Sequence, residues 1–440
     1  MKKMTQGAVA FAAASAIVLA GCSSSGSDDD ATTEPTGSAA PSTEETSAAE
    51  DITLWLMGEQ DTPEALVDYL KETYTAENGG TLTVERIGWG DAITSLTTAL
   101  PDKENTPDVA EVGNTQSSTF TTVGAYLDIT DMYEELGGDS LLPGFVDAGK
   151  VGEQNFTLPY YFGSRLAWYR KDIYAAGGVE VPTTLAEVTT VNADLKEQGI
   201  GGFYMGGRDW RNGVSWIFAN GGDLATYDGS AWAGALSTPE AIEGMTQWQE
   251  LFTTASVAKS TDTDEIYQAI NDDMLAGTPA ATEMAPSWAA CCLGDVNDDE
   301  TFTWNDEKFG YFALPGADGG FAPVFAGGSN IGISAASQHV EGAKDLMRII
   351  FSEDYQLMLS ENGLGPANLD YSDAYVELAP QNQAALDAAS NAKLTPAAPG
   401  WAAIEEAQIL EDYFQAVSEG GDVTKLAAEY DAKLNELING

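Results

Sequence analysis

Residues 51–58 read DITLWLMG and contain the first strand that the sequence predicts. Ile52, Leu54 and Leu56 recur at every second position, which is the period of a strand that buries one face. Thr62 and Pro63 follow as a capping residue and a proline suited to the first helical turn, so a helix is predicted to begin there.

The alternation of strand and helix continues downstream. The first helix is predicted to stop at Asn78-Gly79-Gly80. A second strand, a second helix and a third strand are predicted over 82–87, from Trp89 to about Leu100, and over 107–112. Strands that alternate with helices form a parallel sheet flanked by helices, so an α/β fold is predicted.

The N-terminus has the pattern of an export signal. Residues 1–3 are MKK, and residues 7–20 are an apolar run too short to span a bilayer. The run ends in Leu19-Ala20-Gly21-Cys22, which resembles the lipobox of bacterial lipoproteins. That resemblance implies a signal peptide over residues 1–21 and attachment of acyl chains, palmitate among them, to Cys22. The alternative is an ordinary secretory signal with a chance cysteine.

The segment that follows is polar. Residues 23–50 contain no large apolar side chain and cannot bury enough surface to offset the entropy lost on ordering. Residues 22–50 are therefore predicted to be a lipidated, flexible tether; the alternative is a structured N-terminal arm.

Composition bounds the number of domains and the class of partner. The part after the tether, about 390 residues, is too long for one hydrophobic core and predicts two domains. The 440 residues include 69 Asp and Glu against 19 Lys and Arg, a net charge of −50. A chain this acidic is repelled by nucleic acid and by anionic lipid, so we expect no nucleic-acid partner and a membrane contact only through the lipid.

The sequence lacks the common catalytic and metal motifs. It has one histidine, His339, and no nucleophile elbow, P-loop or dinucleotide-binding glycine motif. Asp295-x-Asn297-x-Asp299 begins like a calcium loop, but Glu300 stands where the loop needs glycine, so a solvated acidic loop is favoured. We expect no catalytic residue, no metal and no cofactor. The many carboxylates nevertheless leave a glycosidase pair open.

Several segments carry a family resemblance. In chain order they are ITLWLMGEQ (52–60), PDVAEVGNTQ (107–116), GAYLD (124–128), LPYYFGSR (158–165), WYRKD (168–172), the stretch 274–288 that ends in APSW, and AGGSNIGI (326–333). In this order, behind a lipobox, they resemble the sugar-binding subunits of ABC importers, in the extracellular solute-binding family that includes maltose-binding protein.

The resemblance implies a fold and a function. The fold is two α/β lobes of the type II periplasmic-binding-protein kind, with the ligand cleft between them. Lobe 1 is expected at 51–157 plus 315–367, and lobe 2 at 158–314 plus 368–440. The protein is expected to be a monomer, anchored by lipid at the extracellular face of the membrane. It would capture an oligosaccharide by hinge closure and hand it to the ABC permease without catalysing a reaction. The alternatives are a binding protein for another solute, a secreted glycoside hydrolase and a structural surface protein.

The resemblance also places the ligand-binding residues. Aromatic rings stack on the apolar faces of sugars, while carboxylates, amides and guanidinium groups hydrogen-bond the hydroxyls. The matched positions expected in the cleft are Glu59, Gln60, Trp89, Asp91, Asn114, Gln116, Tyr160, Ser164, Arg165, Trp210, Arg211, Trp288, Gly328, Ser329 and Trp401. The alternatives are core packing for the tryptophans, a structural brace for Arg165, and a tight turn for Gly328-Ser329.

The remaining two cysteines are adjacent. Exported thiols tend to be oxidised, and with Cys22 lipidated only Cys291 and Cys292 can pair. A vicinal disulfide beside the cleft, close to Trp288, is therefore predicted. The alternative is two buried free thiols.

Overall fold

The computed structural model describes residues 49–58, 61–263, 267–272, 274–297, 302–379, 381–390 and 392–440. The predicted signal peptide, Cys22 and all but the end of the tether lie outside the described residues. So do Glu59, Gln60 and the side chain of Cys291.

The strands and helices alternate along the chain. The strands are β1 Ile52–Met57, β2 Leu82–Ile87, β3 Val109–Gly113, β4 Lys150–Val151, β5 Gln154–Asn155, β6 Leu158–Gly163, β7 Arg165–Arg170, β8 Phe203–Tyr204, β9 Ala225–Tyr227, β10 Trp232–Gly234, β11 Thr282–Pro286, β12 Asp295–Val296, β13 Phe302–Thr303, β14 Phe309–Phe312, β15 Gly327–Ile333 and β16 Gly365–Pro366. The α-helices are α1 Glu64–Glu77, α2 Trp89–Ala99, α3 Ser117–Thr121, α4 Pro143–Ala148, α5 Lys171–Gly177, α6 Leu185–Glu197, α7 Trp210–Ala219, α8 Pro239–Thr254, α9 Val340–Ile350, α10 Glu353–Glu361, α11 Ser372–Leu378, α12 Gln381–Ser390, α13 Trp401–Glu406, α14 Ile409–Ser418 and α15 Val423–Leu437.

The first sheet has six strands in the order β16-β6-β15-β3-β1-β2. β1 pairs in parallel with β2 and β3, which confirms the predicted alternation. β15 is antiparallel to both β3 and β6, so the sheet is mixed and not purely parallel as predicted. Local periodicity could not show this, because β15 joins β3 from far along the chain. The carboxyl ends of β1, β3 and β6 consequently meet the amino end of β15 at one edge.

The start of α1 differs from the prediction. The helix begins at Glu64 with Pro63 in the N-cap position and no side-chain cap. Thr62 is one position too early to cap the first turn, and it is fully buried.

The second sheet has four strands in the order β14-β7-β11-β8. It packs in a large core with the helices around it, and this core includes the fully buried Trp168 and Trp248 together with Trp401 and Leu434 from the C-terminal helices. The chain passes from the first sheet to the second at Ser164, between β6 and β7. β6 therefore belongs to the first sheet, although the boundary predicted after residue 157 assigns it to lobe 2. The remaining lobe boundaries stay a prediction.

Two further features concern the cysteines and membrane contact. Cys292 is disulfide-bonded, and its predicted pairing with Cys291 stays a prediction because the side chain of Cys291 is not described.

Among the described residues, no helix is both long and apolar enough to cross a membrane. The same part of the chain contains no cluster of three or more metal-ligating side chains.

Candidate functional site

A cavity of about 490 Å³ lies where the edge of the first sheet faces the second. Residues at the ends of β3, β6, β11 and β15 contribute to its wall. The lining residues are Asp61, Trp89, Gly113, Asn114, Thr115, Gln116, Tyr161, Gly163, Arg165, Arg211, Asn212, Tyr267, Met284, Pro286, Trp288, Phe325, Gly327, Gly328 and Glu405. The site thus draws on both sheets and on helix α13.

Two tryptophans present partly exposed rings to this cavity. Trp288 follows β11 and is 38% exposed, and Trp89 begins α2 and is 37% exposed. Trp288 packs edge-on against Tyr267, with ring centroids 5.1 Å apart. The Trp89 indole nitrogen donates a hydrogen bond to Asp61 Oδ2 at 2.6 Å. Both rings are therefore held in place while part of each remains available for stacking.

Amide side chains are held beside these rings. Asn114 Nδ2 donates to the carbonyl of Ala326 at 3.1 Å, and Gln116 Nε2 donates to Glu405 Oε2 at 3.1 Å. Gln116 Oε1 is buried and has no hydrogen-bond partner within the described part of the chain. Both amides follow β3, as the sequence predicts, because the carboxyl end of that strand opens onto the cavity.

Glu405 was missed by the sequence analysis, which chose Trp401 four residues earlier. Trp401 is fully buried and does not line the cavity. Its indole nitrogen donates to Glu405 Oε1 at 3.0 Å, one helical turn away. The prediction for Trp401 is therefore corrected: it lies behind the wall and positions a carboxylate that lines it. The i, i+4 spacing is the signal that could have identified Glu405.

Of the neighbours Trp210 and Arg211, only Arg211 lines the cavity. Trp210 is 1% exposed, and its indole nitrogen donates to Glu411 Oε1 at 3.0 Å, so it lies in the core and not on the cavity wall as predicted. The Arg211 guanidinium lies 4.8 Å from the Trp210 ring centroid and lines the cavity. Burial raises the pKa of Glu411. The neighbouring Asn212 also lines the cavity and donates to the carbonyl of Met284 at 3.1 Å.

Tyr160 is a further correction. It is fully buried, and its hydroxyl lies 2.5 Å from that of Tyr355, in the hydrophobic core that packs against the first sheet. Successive side chains on a strand point to opposite faces, so the next residue, Tyr161, lines the cavity instead. The sequence therefore predicts the correct segment, but the predicted residue is one position away from the one that lines the cavity.

Gly328 lines the cavity as predicted, whereas Ser329 lies behind the wall and its predicted cleft position is corrected. Gly328 lines the cavity at φ 137°, and a Cβ there would lie 2.4 Å from the carbonyl oxygen of Tyr161, so only glycine fits. Ser329 is fully buried and hydrogen-bonded to Glu111, which also accepts from the backbone N–H of Met57 at 2.8 Å. Burial raises the pKa of Glu111 to about 8.

Of three other residues predicted in the cleft, one lines the cavity and two do not. Arg165 lines the cavity, with its guanidinium carbon 5.5 Å from the ring centroid of Phe325. Ser164 is buried at the crossing between the sheets and is not among the lining residues. Asp91 is exposed on α2 and also lies outside the lining.

The arrangement suits recognition of a neutral, hydroxyl-rich solute. The two carboxylates among the described lining residues, Asp61 and Glu405, already accept hydrogen bonds from protein groups. Fixed acceptors, amides and two guanidinium groups stand beside exposed aromatic surface. Such a site can orient a ligand by paired hydrogen bonds and hold its apolar face by stacking.

Comparison with known proteins identifies the family of this chain. The model of the bacterial extracellular solute-binding protein family matches residues 59–357. The diacetylchitobiose binding protein DasA of Streptomyces coelicolor is 27% identical over 402 residues, which covers 89% of this chain and 90% of that protein.

Two solved structures show the same fold. The sugar-binding protein MalE from Xanthomonas citri superposes with a TM-score of 0.74 at 18% identity, covering 88% of this chain and 97% of that one. The GacH receptor of Streptomyces glaucescens, solved unliganded and with acarbose, gives 0.72 at 18% identity, covering 88% and 98%. These likenesses confirm the predicted two-lobed α/β fold.

Proposed function

Because this chain belongs to the family of bacterial extracellular solute-binding proteins, we propose that it captures an oligosaccharide outside the cell for an ABC importer. The observation that carries the proposal is that two partly exposed tryptophans line one cavity, Trp89 from helix α2 after the first sheet's β2 and Trp288 from the segment after the second sheet's β11. Sugar rings offer apolar faces that can stack on such indoles, which favours a carbohydrate over a bare metal ion.

The ligand to test first is N,N′-diacetylchitobiose. DasA carries that ligand in its name and matches this chain over most of both lengths. The cavity also offers surfaces that suit an acetamido group: the side chains of Met284 and Phe325 for the methyl, and Asn114 and Gln116 for the amide. Its volume of about 490 Å³ lies within the ordinary range for small-molecule sites.

Binding would act through closure of the two lobes. Residues from both sheets line the cavity, so a ligand held by both favours the arrangement in which they approach each other. The permease would then recognise the closed form. No chemical step is assigned to the protein, in keeping with a family of binding proteins.

Membrane attachment is part of the same proposal. Lipidation of Cys22 would hold a monomer at the extracellular face of the membrane beside its permease. This rests on the LAGC pattern after the apolar run of residues 7–20.

A thermal-shift screen of the full-length protein against mono- and oligosaccharides tests the proposal. A ligand that binds the native state raises the unfolding temperature by mass action, and diacetylchitobiose is expected to do so. The same mixtures are assayed for new reducing ends. Stabilisation without cleavage supports a receptor, whereas release of reducing ends would identify a hydrolase. No stabilisation by any sugar in the panel would refute carbohydrate binding.

A further inference from the structure

A second cavity, of about 370 Å³, lies beside the second sheet's core. Residues of the hairpin β9–β10 and residues 394–397 contribute most of its lining. It shares no lining residue with the cavity described above. From its geometry we infer that it is a second, independent carbohydrate-binding site. The inference does not depend on the ligand of the main cavity, because its evidence lies in different side chains.

The first observation is an aromatic platform. Tyr227 and Trp232 stand directly opposite each other in the antiparallel register, with ring centroids 5.3 Å apart and planes inclined by 39°. Tyr227 is 54% exposed, and Trp232 is partly exposed. Exposed aromatic pairs of this kind offer a broad apolar surface to a sugar ring.

The platform is fixed to the rest of the protein. The backbone N–H and carbonyl of Trp232 are both bonded to the side-chain amide of Asn439, at 2.9 Å and 3.0 Å. The N–H of Gly234 donates to Asn435 Oδ1 at 2.8 Å. Asn435 and Asn439 thus hold the backbone of β10, so the strand that carries Trp232 does not have to be ordered when a ligand binds.

The second observation is an unpartnered hydroxyl. Thr395 lines the cavity and is 7% exposed, and its Oγ1 has no hydrogen-bond partner among the described residues. A buried polar atom left unpaired costs free energy, and a ligand hydroxyl would satisfy it.

The charge at this cavity favours a neutral ligand. Asp223 lines the wall, and its two oxygens accept from Lys393 Nζ at 3.1 Å and 3.2 Å. Its charge is thereby matched, while its carboxylate can still accept from ligand hydroxyls. A neutral molecule with hydroxyl groups and an apolar face, which is to say a carbohydrate, suits this combination of groups.

The test uses indole resonances that report on each cavity separately. Full-length protein labelled with 5-fluorotryptophan is titrated with tetra-N-acetylchitotetraose and with maltotetraose, and the Trp232 and Trp288 resonances are assigned by their Phe variants. The Trp232 resonance is expected to shift saturably with at least one sugar, and to do so equally in Trp288→Ala. If the Trp232 shift disappears in Trp288→Ala, the signal originates in the main cavity and the inference is wrong.

Two variants probe the site itself. Tyr227→Ala should weaken the Trp232 response by about threefold to tenfold, the range of one aromatic contact. Thr395→Val keeps the shape and removes the hydroxyl, so it should weaken the response while the other indole resonances stay in place. Phe321→Ala removes an exposed aromatic ring outside both cavities and should leave the Trp232 response unchanged. A Trp232 resonance that no sugar moves, or that responds equally in Tyr227→Ala and Thr395→Val, overturns the inference.

Discussion

The side-chain amide of Gln116 donates a hydrogen bond of 3.1 Å to Glu405, and this contact joins the first sheet to helix α13 at the wall of the main cavity. The other oxygen of Glu405 accepts from Trp401 at 3.0 Å. The carboxylate is thus held by one donor that follows strand β3 and by a second donor on its own helix, so it would be a fixed acceptor for the proposed ligand.

The first prediction concerns Glu405. Glu405→Gln replaces one acceptor oxygen by an amide group, which then faces a donor on Gln116 or Trp401. We expect affinity for the sugar ligand to fall about tenfold, the order of one hydrogen bond to a charged group. Calorimetric titration measures it. Glu406→Gln alters the next, exposed residue of the same helix and should bind as the wild type does; equal affinities for both variants would remove Glu405 from the site.

The second prediction concerns pH. Burial raises the pKa of Glu111 from the ordinary value of 4.5 for a glutamate to about 8, so the folded state keeps a proton that the unfolded state has already released. Stability from this group is therefore full below the unfolded pKa and declines as pH rises towards the folded value. Glu111→Gln stays neutral and should stabilise the protein at pH 9 by at least about 1 kcal/mol, measured by urea unfolding.

A matched control isolates that effect. Glu436→Gln removes an exposed carboxylate and should leave the pH dependence unchanged. Burial also raises the pKa of Glu283 to about 8, so Glu111→Gln should reduce the decline without abolishing it. If the stability of Glu111→Gln fell between pH 5 and pH 9 as steeply as that of the wild type, the raised pKa of Glu111 would be contradicted.

The sequence predicted the framework of the site better than its individual side chains. The strands at 52–57, 82–87 and 109–113 are short runs bounded by turn residues, and each lies within two residues of the predicted range. The aromatic residues were harder, because burial depends on the face a side chain occupies. Tyr160 and Tyr161 differ only in the strand face on which they lie, and Trp401 and Glu405 lie on one helix at different depths.

The third prediction concerns the membrane. Cys22→Ala removes the only thiol in the lipobox pattern, so the protein should appear in the soluble fraction of cells that express it. Fractionation with a carbonate wash measures the distribution. A variant that stays with the membrane as fully as the wild type would show that the anchor is not at Cys22.

The fourth prediction concerns the disulfide. In Cys22→Ala only Cys291 and Cys292 remain, so the denatured, unreduced protein should take up no alkylating reagent and the reduced protein two equivalents. Intact-mass spectrometry counts the adducts. The further change Cys292→Ser should give one adduct without reduction. Two adducts on the unreduced Cys22→Ala protein would show two free thiols instead.

The central claim is that an oligosaccharide binds in the cavity lined by Trp89 and Trp288. Calorimetric titration of the full-length protein with N,N′-diacetylchitobiose, repeated with Trp288→Ala and with Phe321→Ala, which removes an exposed ring outside the cavity lining, tests it most directly. The account predicts saturable binding that Trp288→Ala weakens by about 1–3 kcal/mol and that Phe321→Ala leaves unchanged. Binding of equal strength in Trp288→Ala, or no binding of this or any other oligosaccharide by the wild type, would contradict it.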